Sequence, residues 1–468
     1  MTLDQVADVV GGDLADPADG TTMIDSVTID SRTATSGALF VPLVGESADG
    51  HRFIGDAAAR GATGYLIAAD ARPLPEPGGL VVDDPADALL GLGIWVRDTV
   101  DPLVISLTGS QGKTTTKDLL HAVMGAARPT VASRDSFNNE LGVPLTCCEL
   151  GADTEVLITE IGARGIGHIA MLATPLRPDI AIVTAAGASH LAMLGDVDQV
   201  AIAKGELVEA LGPAGVAVLN ADDRRVAAMA KRTDARVVTY GMNAEADWTP
   251  TDIRLDDAAC ASFTAEGPSG RAHVRLALPG VHNVSNALAA IAAADAAGVG
   301  LDLIAPALAG ATVSRWRMEL SVRRGITVLN DAYNANPTSM GAALDTLTAL
   351  HVPPGGRRWA VLGMMAELGA GSAAAHAEVG ARAAELGVDR IVVVGEEAGP
   401  IAYGAQGPPG LPAGAVVRVA DADAAVGMLR AHLNEGDAVL VKASRAVGLE
   451  RVAVAIAEHA GDAGRDVT

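Results

Sequence analysis

Lysine is nearly missing from this chain. Of 34 basic residues only Lys113, Lys117, Lys204, Lys231 and Lys442 are lysine. Arginine serves wherever a generic positive charge suffices, so the surviving lysines mark candidate positions where a compact ammonium, or its amine chemistry, is needed. Chance survival accounts for Lys117 and Lys231. Aromatic residues make up 3% of the chain against 49% hydrophobic content, so the cores are built from Ala, Val, Leu and Ile. Cysteine is scarce too. Cys147, Cys148 and Cys260 are an odd set without C-x-x-C spacing, which points away from a disulfide framework and from a cysteine metal site. The longest apolar run, Ala88 to Val96, is too short to span a bilayer. The opening stretch MTLDQVADVVGGDLAD lacks the basic region of a signal peptide. These absences predict a soluble, cytoplasmic protein without membrane insertion. A net charge of −23 argues against nucleic-acid partners, yet leaves room for a basic pocket holding a small anionic nucleotide.

Leu103 to Lys117 reads LVISLTGSQGKTTTK. Val104–Thr108 has the apolar, β-branched pattern of a buried parallel strand. It ends in Gly109-Ser110-Gln111-Gly112-Lys113-Thr114-Thr115 and then a helix-compatible segment from Thr115 to about Met124. A strand, a glycine turn and a helix start make a phosphate cradle, because glycines let backbone N–H groups turn inward and the helix dipole adds positive charge. Lys113 can reach the β- and γ-phosphates and the Thr114 hydroxyl can ligate Mg²⁺. Leu107 stands where the full phosphate-loop pattern has glycine. The stretch predicts binding of a nucleoside triphosphate.

At 468 residues the chain is long enough for about three domains. Residues 1–98 form one unit, with a strand-like run at Gly64–Ile67, and a turn at Arg97–Pro102 closes it. Ser31 and Arg32 offer a hydroxyl and a guanidinium suited to a sugar diphosphate, although a surface ion pair explains Arg32 taken alone. Residues 99–316 carry strands at Val156–Thr159, Ile180–Thr184, Val216–Leu219 and Val237–Tyr240, alternating with helices as in a mostly parallel sheet. Trp248–Leu278 changes to short alternating runs that predict an antiparallel excursion, and His282–Ala297 resumes as helix. Residues 317–468 start a third alternation. Its strands are expected at Ile326–Asn330, Trp359–Leu362, Ile391–Val394, Val416–Val419 and Ala438–Val441, with Pro337 opening a helix.

Further candidates lie at strand ends of the middle unit. Glu160 follows Val156–Thr159, His190 lies beyond Ile180–Thr184, and Lys204 sits in Ala201-Ile-Ala-Lys-Gly-Glu206. Carboxyl ends of parallel strands border the ligand crevice, and a carboxylate there suits Mg²⁺. Taken singly, Glu160 reads as a solvated strand-end acid, His190 as a helix-start residue and Lys204 as a surface lysine. Together on one rim they favour a metal–nucleotide site.

An ordered series of motifs extends this pattern over nearly the whole chain. It runs TGSQGKTTTK, SFNNELGVPLT (Ser136–Thr146), TEIGARGIGHIAML (Thr159–Leu172), SHLAMLGDVDQVAIAKGEL (Ser189–Leu207), LNADD (Leu219–Asp223), GVHNVSNALAA (Gly280–Ala290), SRWRM (Ser314–Met318), NDAYNANPTSM (Asn330–Met340), MAELG (Met365–Gly369) and VLVKAS (Val439–Ser444). In these motifs the chain resembles the Mur ligase family. The F-N-N-E-L-G-V-P and D-A-Y-N-A-N-P runs, with the absence of D-N-P-R, place it beside the branch that adds D-alanyl-D-alanine to UDP-MurNAc-tripeptide.

The resemblance implies an α/β protein of three domains: an N-terminal UDP-sugar-binding domain, a central P-loop ATPase with a mostly parallel sheet, and a C-terminal Rossmann-like domain. It implies ATP-dependent amide ligation through an acyl phosphate, with ATP and Mg²⁺, by a monomer. Lys113, Glu160, His190 and Lys204 would be catalytic, with Thr114, Glu160, His190 and a carbamylated Lys204 holding metal. Asn283 would contact adenine, and Arg317 and Asp331 the phosphates and ribose. Ser31, Arg32, Asp49, Gly50 and His51 would bind the UDP-sugar, and Asn138, Asn139, Lys442 and Ser444 would face substrate. Three positions depart from the family pattern: Ala185 replaces an asparagine, Ala192 a glutamate and Met364 an acid. Two alternatives follow, a sibling ligase with another acid and amine, and a catalytically quiet nucleotide-binding paralogue.

Overall fold

The structure is a computed structural model describing residues 1–45, 48–69, 71, 78–188, 191–408 and 410–462. It resolves into two compact units. One comprises Met1–Leu107, Arg128–Gly162 and Ile169–Asp179; the other comprises Thr108–Ala127, Ala163–His168 and Ile180–Thr468.

The N-terminal sheet contains β1 (Asp13–Leu14), β2 (Ser26–Thr28), β3 (Ala38–Phe40), β4 (Gly64–Ala68) and β5 (Gly79–Val82), ordered β1-β5-β4-β3-β2. All its pairs are parallel except β1–β5. Leu39, Val41, Leu66, Leu80 and Val82 form its core with Leu89 and Leu92 of the helix Pro85–Val100. That helix absorbs the apolar run Ala88–Val96. It starts where Asp84 accepts the N–H groups of Ala86 and Asp87, ahead of Pro85. The turn expected from Arg97 begins only at Asp101, with φ 51°. Arg97 stays helical and buried because its guanidinium pairs with Asp98 at 3.0 Å.

The middle sheet holds β6 (Leu103–Thr108), β7 (Thr130–Ala132), β8 (Val156–Glu160), β9 (Ile180–Val183), β10 (Val216–Asn220) and β11 (Arg236–Tyr240), ordered β11-β10-β9-β6-β8-β7. The pairs β11–β10, β10–β9, β6–β8 and β8–β7 are parallel, as expected. The short β7 was not legible, its three residues being too few to set a period. The antiparallel excursion is a separate sheet of β12 (Thr249–Leu255), β13 (Cys260–Gly267) and β14 (Gly270–Pro279).

The last sheet contains β15 (Glu319–Arg323), β16 (Ile326–Asn330), β17 (Arg358–Leu362), β18 (Arg390–Val394), β19 (Val416–Val419) and β20 (Ala438–Lys442), ordered β15-β16-β20-β17-β18-β19. Neighbouring residues on each strand enter opposite cores. Leu329, Ala360, Leu362, Val393 and Leu440 join one, and Val328, Trp359, Val361, Val392 and Val441 the other. Burial on both faces explains the near-continuous apolar runs. Only the edge strand β15 is antiparallel. Strands β16, β20 and β17 lie side by side, so their carboxyl ends open onto one rim.

Candidate active site

The phosphate loop leaves β6 at Thr108. Gly109 and Gly112 take φ of 156° and 76°. A Cβ at Gly109 would lie 1.9 Å from Thr184 Oγ1, and one at Gly112 2.4 Å from Asn286 Oδ1. Both glycines are therefore demanded by backbone conformation and by close approach. Leu107 lies a step earlier, fully buried within β6, where glycine would only cost packing. The helix Lys113–Ala127 follows directly, opening at Lys113 rather than Thr115. Lys113 Nζ donates to the Gly109 carbonyl at 2.7 Å.

Residues 184–187 brace this loop. Ser110 N–H donates to the Ala185 carbonyl at 2.8 Å. The Ser110 hydroxyl donates to Gly187 O at 2.9 Å and accepts from Gly187 N–H at 3.0 Å. Thr184 Oγ1 donates to Gln111 O at 2.6 Å. The brace is held in turn by Asn220, donating to Thr184 O at 2.8 Å, and by Asp223, accepting the Ala186 N–H at 2.7 Å. Ala185 contributes through its backbone carbonyl, so loss of the family's asparagine side chain leaves this hydrogen bond in place. Asn220 and Asp223 were missed as site residues, although the LNADD run contains both.

On the helix His282–Ala296, Asn283 donates to Pro279 O and accepts from Asn286, each at 2.8 Å. The i,i+3 asparagine spacing puts both amides on one face. Asn286, also missed, is the one beside Gly112. His282 opens the helix with Nδ1 buried and, among the described residues, without a hydrogen-bond partner, and burial pushes its pKa down.

Lys204 is 2% exposed on the helix Val197–Glu209, so the surface-lysine reading fails. Two residues on, Glu206 accepts the Gly167 N–H at 2.6 Å. Gly205 between them packs against the Arg232 guanidinium, which a Cβ there would displace. That guanidinium donates to Ile202 O at 3.0 Å and to Glu209 at 2.8 Å.

At the rim of the last sheet, Lys442 ends β20 with 2% exposure. Its ammonium donates to Asp331 Oδ2 at 2.5 Å and to Asn334 O at 2.7 Å. Asp331 Oδ1 accepts the Met318 N–H at 3.1 Å. Arg317 lies between Trp316 and Met318, both left-handed at φ 62° and 52°. Its guanidinium stacks on Tyr333 at 4.0 Å, and Nε is buried without a hydrogen-bond partner among the described residues. A cation held by stacking, with a buried donor left over, is set to receive an anion. The preceding Ser314 N–H donates at 2.8 Å to Asp118, whose other oxygen pairs with buried Lys117 at 3.0 Å. Lys117 is thus a structural lysine, not a chance survivor; Lys231 is exposed.

Family models match along this chain: the Mur ligase middle domain over residues 107–294, the Mur ligase glutamate ligase domain over 316–445, and the Mur ligase family catalytic domain over 23–82. The chain is 41% identical to the UDP-N-acetylmuramoyl-tripeptide–D-alanyl-D-alanine ligase of Mycobacterium tuberculosis, covering 97% of both chains. This chain belongs to the Mur ligase family.

Solved Mur ligases share its architecture. A crystal structure of MurF from Acinetobacter baumannii superposes with TM-score 0.86 at 32% identity, covering 98% of each chain. MurF from Thermotoga maritima, solved in complex with ADP, gives 0.80 at 25% identity, over 95% of this chain and 99% of that one. The expected three-domain α/β architecture of the Mur ligases is the one observed.

The first unit carries the remaining Mur ligase candidates. Glu160 is the last residue of β8 and 1% exposed, so it is not a solvated acid. Its carboxylate accepts from Asn138 Nδ2 at 2.8 Å. Asn139 Oδ1 instead accepts the Gly142 N–H at 3.0 Å, at the start of a short helix. Ser31 is buried. Arg32, its side chain 82% exposed, pairs with Asp30 at 2.7 Å, the surface ion pair weighed from sequence. Its guanidinium holds the Asp30 pKa down at about 2. His51 Nε2 accepts the Ala68 N–H at 3.3 Å, so Nδ1–H donates to Asp49 at 2.7 Å. Gly50 packs on the Leu43 backbone, which a Cβ would meet at 2.6 Å. His190 lies outside the described residues. Among the described residues, no group of three or more His, Cys, Asp or Glu is placed to hold a metal ion.

Proposed function

We infer that this chain uses ATP to join D-alanyl-D-alanine to UDP-N-acetylmuramoyl-tripeptide, giving the UDP-MurNAc-pentapeptide of peptidoglycan synthesis. The observation that carries this is end-to-end similarity, 97% of both chains, to a ligase of that name. The phosphate cradle supplies the chemistry. The γ-phosphoryl group of ATP passes to the tripeptide carboxylate, forming an acyl phosphate and ADP. The dipeptide amine attacks the acyl carbon, and the tetrahedral intermediate expels phosphate. Such a transfer requires positioning and charge neutralisation rather than covalent help.

Lys113 and the backbone N–H groups of the loop from Gly109 to Thr115 hold the phosphates, except that of Ser110, which the Ala185 carbonyl takes. Arg317 brings its spare donor to the transferred group, Asp331 takes the ribose, and Asn283 borders the adenine. The Thr114 hydroxyl and the Glu160 carboxylate are hard oxygens of the kind Mg²⁺ takes, and with His190 and a carbamylated Lys204 they would be the residues that hold it. When bound, Mg²⁺ neutralises charge on the phosphates. Ser31, Arg32 and Asp49–His51 recognise the UDP-sugar, Asn138 orients Glu160 beside the substrate, and Asn139 shapes that loop. Ser444 lines the rim, while Lys442 acts through Asp331. The domains divide at 1–98, 99–316 and 317–468. The working enzyme is a cytoplasmic monomer serving cell-wall growth, and through it cell shape and division.

ADP release decides between readings. It should require UDP-MurNAc-tripeptide and rise further with D-alanyl-D-alanine. Rapid ATP hydrolysis with neither substrate, or no turnover with both, would overturn the reading. Turnover with another acid and amine alone would mark a sibling ligase.

A further inference from the structure

His376 lies on the helix Ser372–Glu385 with 0% exposure. Its Nδ1 is 2.7 Å from the Ser372 carbonyl, which can only accept, so Nδ1 carries the proton. Nε2 is then a bare acceptor, and the Met365 N–H donates to it at 2.8 Å. One neutral tautomer satisfies both contacts.

Met365 belongs to the loop after β17, which is pinned at further points. Gly363 N–H donates to Lys442 O at 3.0 Å, and Met364 O accepts from Ser444 N–H at 2.9 Å. Ala366 N–H donates to Ser444 Oγ at 2.9 Å. Beyond them Glu367 takes a left-handed φ of 63°, and its carbonyl accepts the Ala192 N–H at 3.1 Å. Ala192 follows His190 by two positions and lies on the short helix Leu191–Leu194, ahead of the Lys204 helix. The loop thus joins the Lys442–Asp331 rim to the segment ahead of Lys204. Met364 works through its carbonyl, so the missing acid costs this frame nothing.

We propose that His376 is a positioning residue for ligation, its neutral Nε2 holding loop 363–369 so that Glu367 O meets Ala192. This rests on the ligase reading. The phosphate cradle is braced by Thr184, Gly187 and Asn286, none of which His376 touches, so the effect falls on turnover rather than on nucleotide binding.

The test uses the full-length enzyme as His376→Asn and His376→Gln. Asparagine places its amide near Nδ1 and leaves the Met365 N–H without its acceptor; glutamine places an oxygen near Nε2. His376→Asn should lower kcat about tenfold, the scale of a lost buried hydrogen bond, with the ATP KM within about twofold. Hydrogen exchange over residues 364–367 should speed up. His376→Gln should recover most of the rate and the protection. Equal rates in both variants, whether normal or impaired, would overturn the proposal, as would a loss confined to the ATP KM. If the asparagine variant fails to fold, a folded glutamine variant with an unprotected loop overturns it and a protected, active one supports it. Nitrogen-15 shifts of wild-type His376 test the tautomer independently of turnover, so a failure of the ligase reading remains distinguishable.

Discussion

Lys442 and Asp331 form a buried ion pair, with Nζ to Oδ2 at 2.5 Å and both side chains largely enclosed. The ammonium also serves the Asn334 carbonyl. Lys442→Met would leave the carboxylate without its counter-charge, and breaking a buried pair from one side costs about 3–5 kcal/mol. Urea unfolding should show that loss, and the ATP KM should rise about tenfold as Asp331 moves. Adding Asp331→Asn should recover part of the stability, because no charge is then stranded. Unchanged stability in Lys442→Met would show that the pair does not form in solution.

Lys204 tests the carbamate. A neutral amine can add CO₂ and turn a cation into an anion with two oxygens, which guanidinium cannot do. Lys204→Ala should nearly abolish ligation while ATP still binds, and acetate should restore part of the rate. Lys204→Arg should be inactive and refractory to acetate. Near-normal activity in the arginine variant would reduce Lys204 to a positive charge.

The phosphate loop depends on Gly109. Alanine there would meet Thr184 Oγ1 at 1.9 Å in a backbone conformation that disfavours side chains. Gly109→Ala should weaken ATP binding by more than about a hundredfold by calorimetry. Ser110→Ala removes the hydroxyl's bonds to Gly187 without a backbone clash and should cost about 1 kcal/mol, roughly fivefold in affinity. Equal affinities for the two variants would contradict the close approach.

His282 makes stability pH-dependent. Burial lowers its folded pKa below the ordinary 6.5, so between the two values the unfolded chain binds more protons. Stability then rises with pH and is lost as pH falls from 6.5 through the folded value. His282→Asn should flatten that part of a curve of unfolding free energy against pH. An identical slope in the variant would remove His282 as its source.

The sequence by itself determined what contiguous residues can encode. The phosphate loop was legible because strand, glycine turn and helix follow within a few residues, and each glycine answers a local backbone demand. Strands such as Ile391–Val394 and Ala438–Val441 were read correctly because burial on both faces writes an unbroken apolar run. The edge strand β15, partly exposed along its length, leaves no such run and went unread. Only the tertiary structure decided which polar groups are spent on one another. Lys442 meets Asp331 across 111 residues of chain, and Ser110 meets Gly187 across 77. Periodicity carries no information at those separations. Burial of Lys117 and Lys204 likewise depends on what packs over their helices, so one was taken for chance and the other rested on family resemblance. Local order follows from backbone preferences and side-chain period, whereas the partner of a buried charge is chosen by how separate strands come to share one rim.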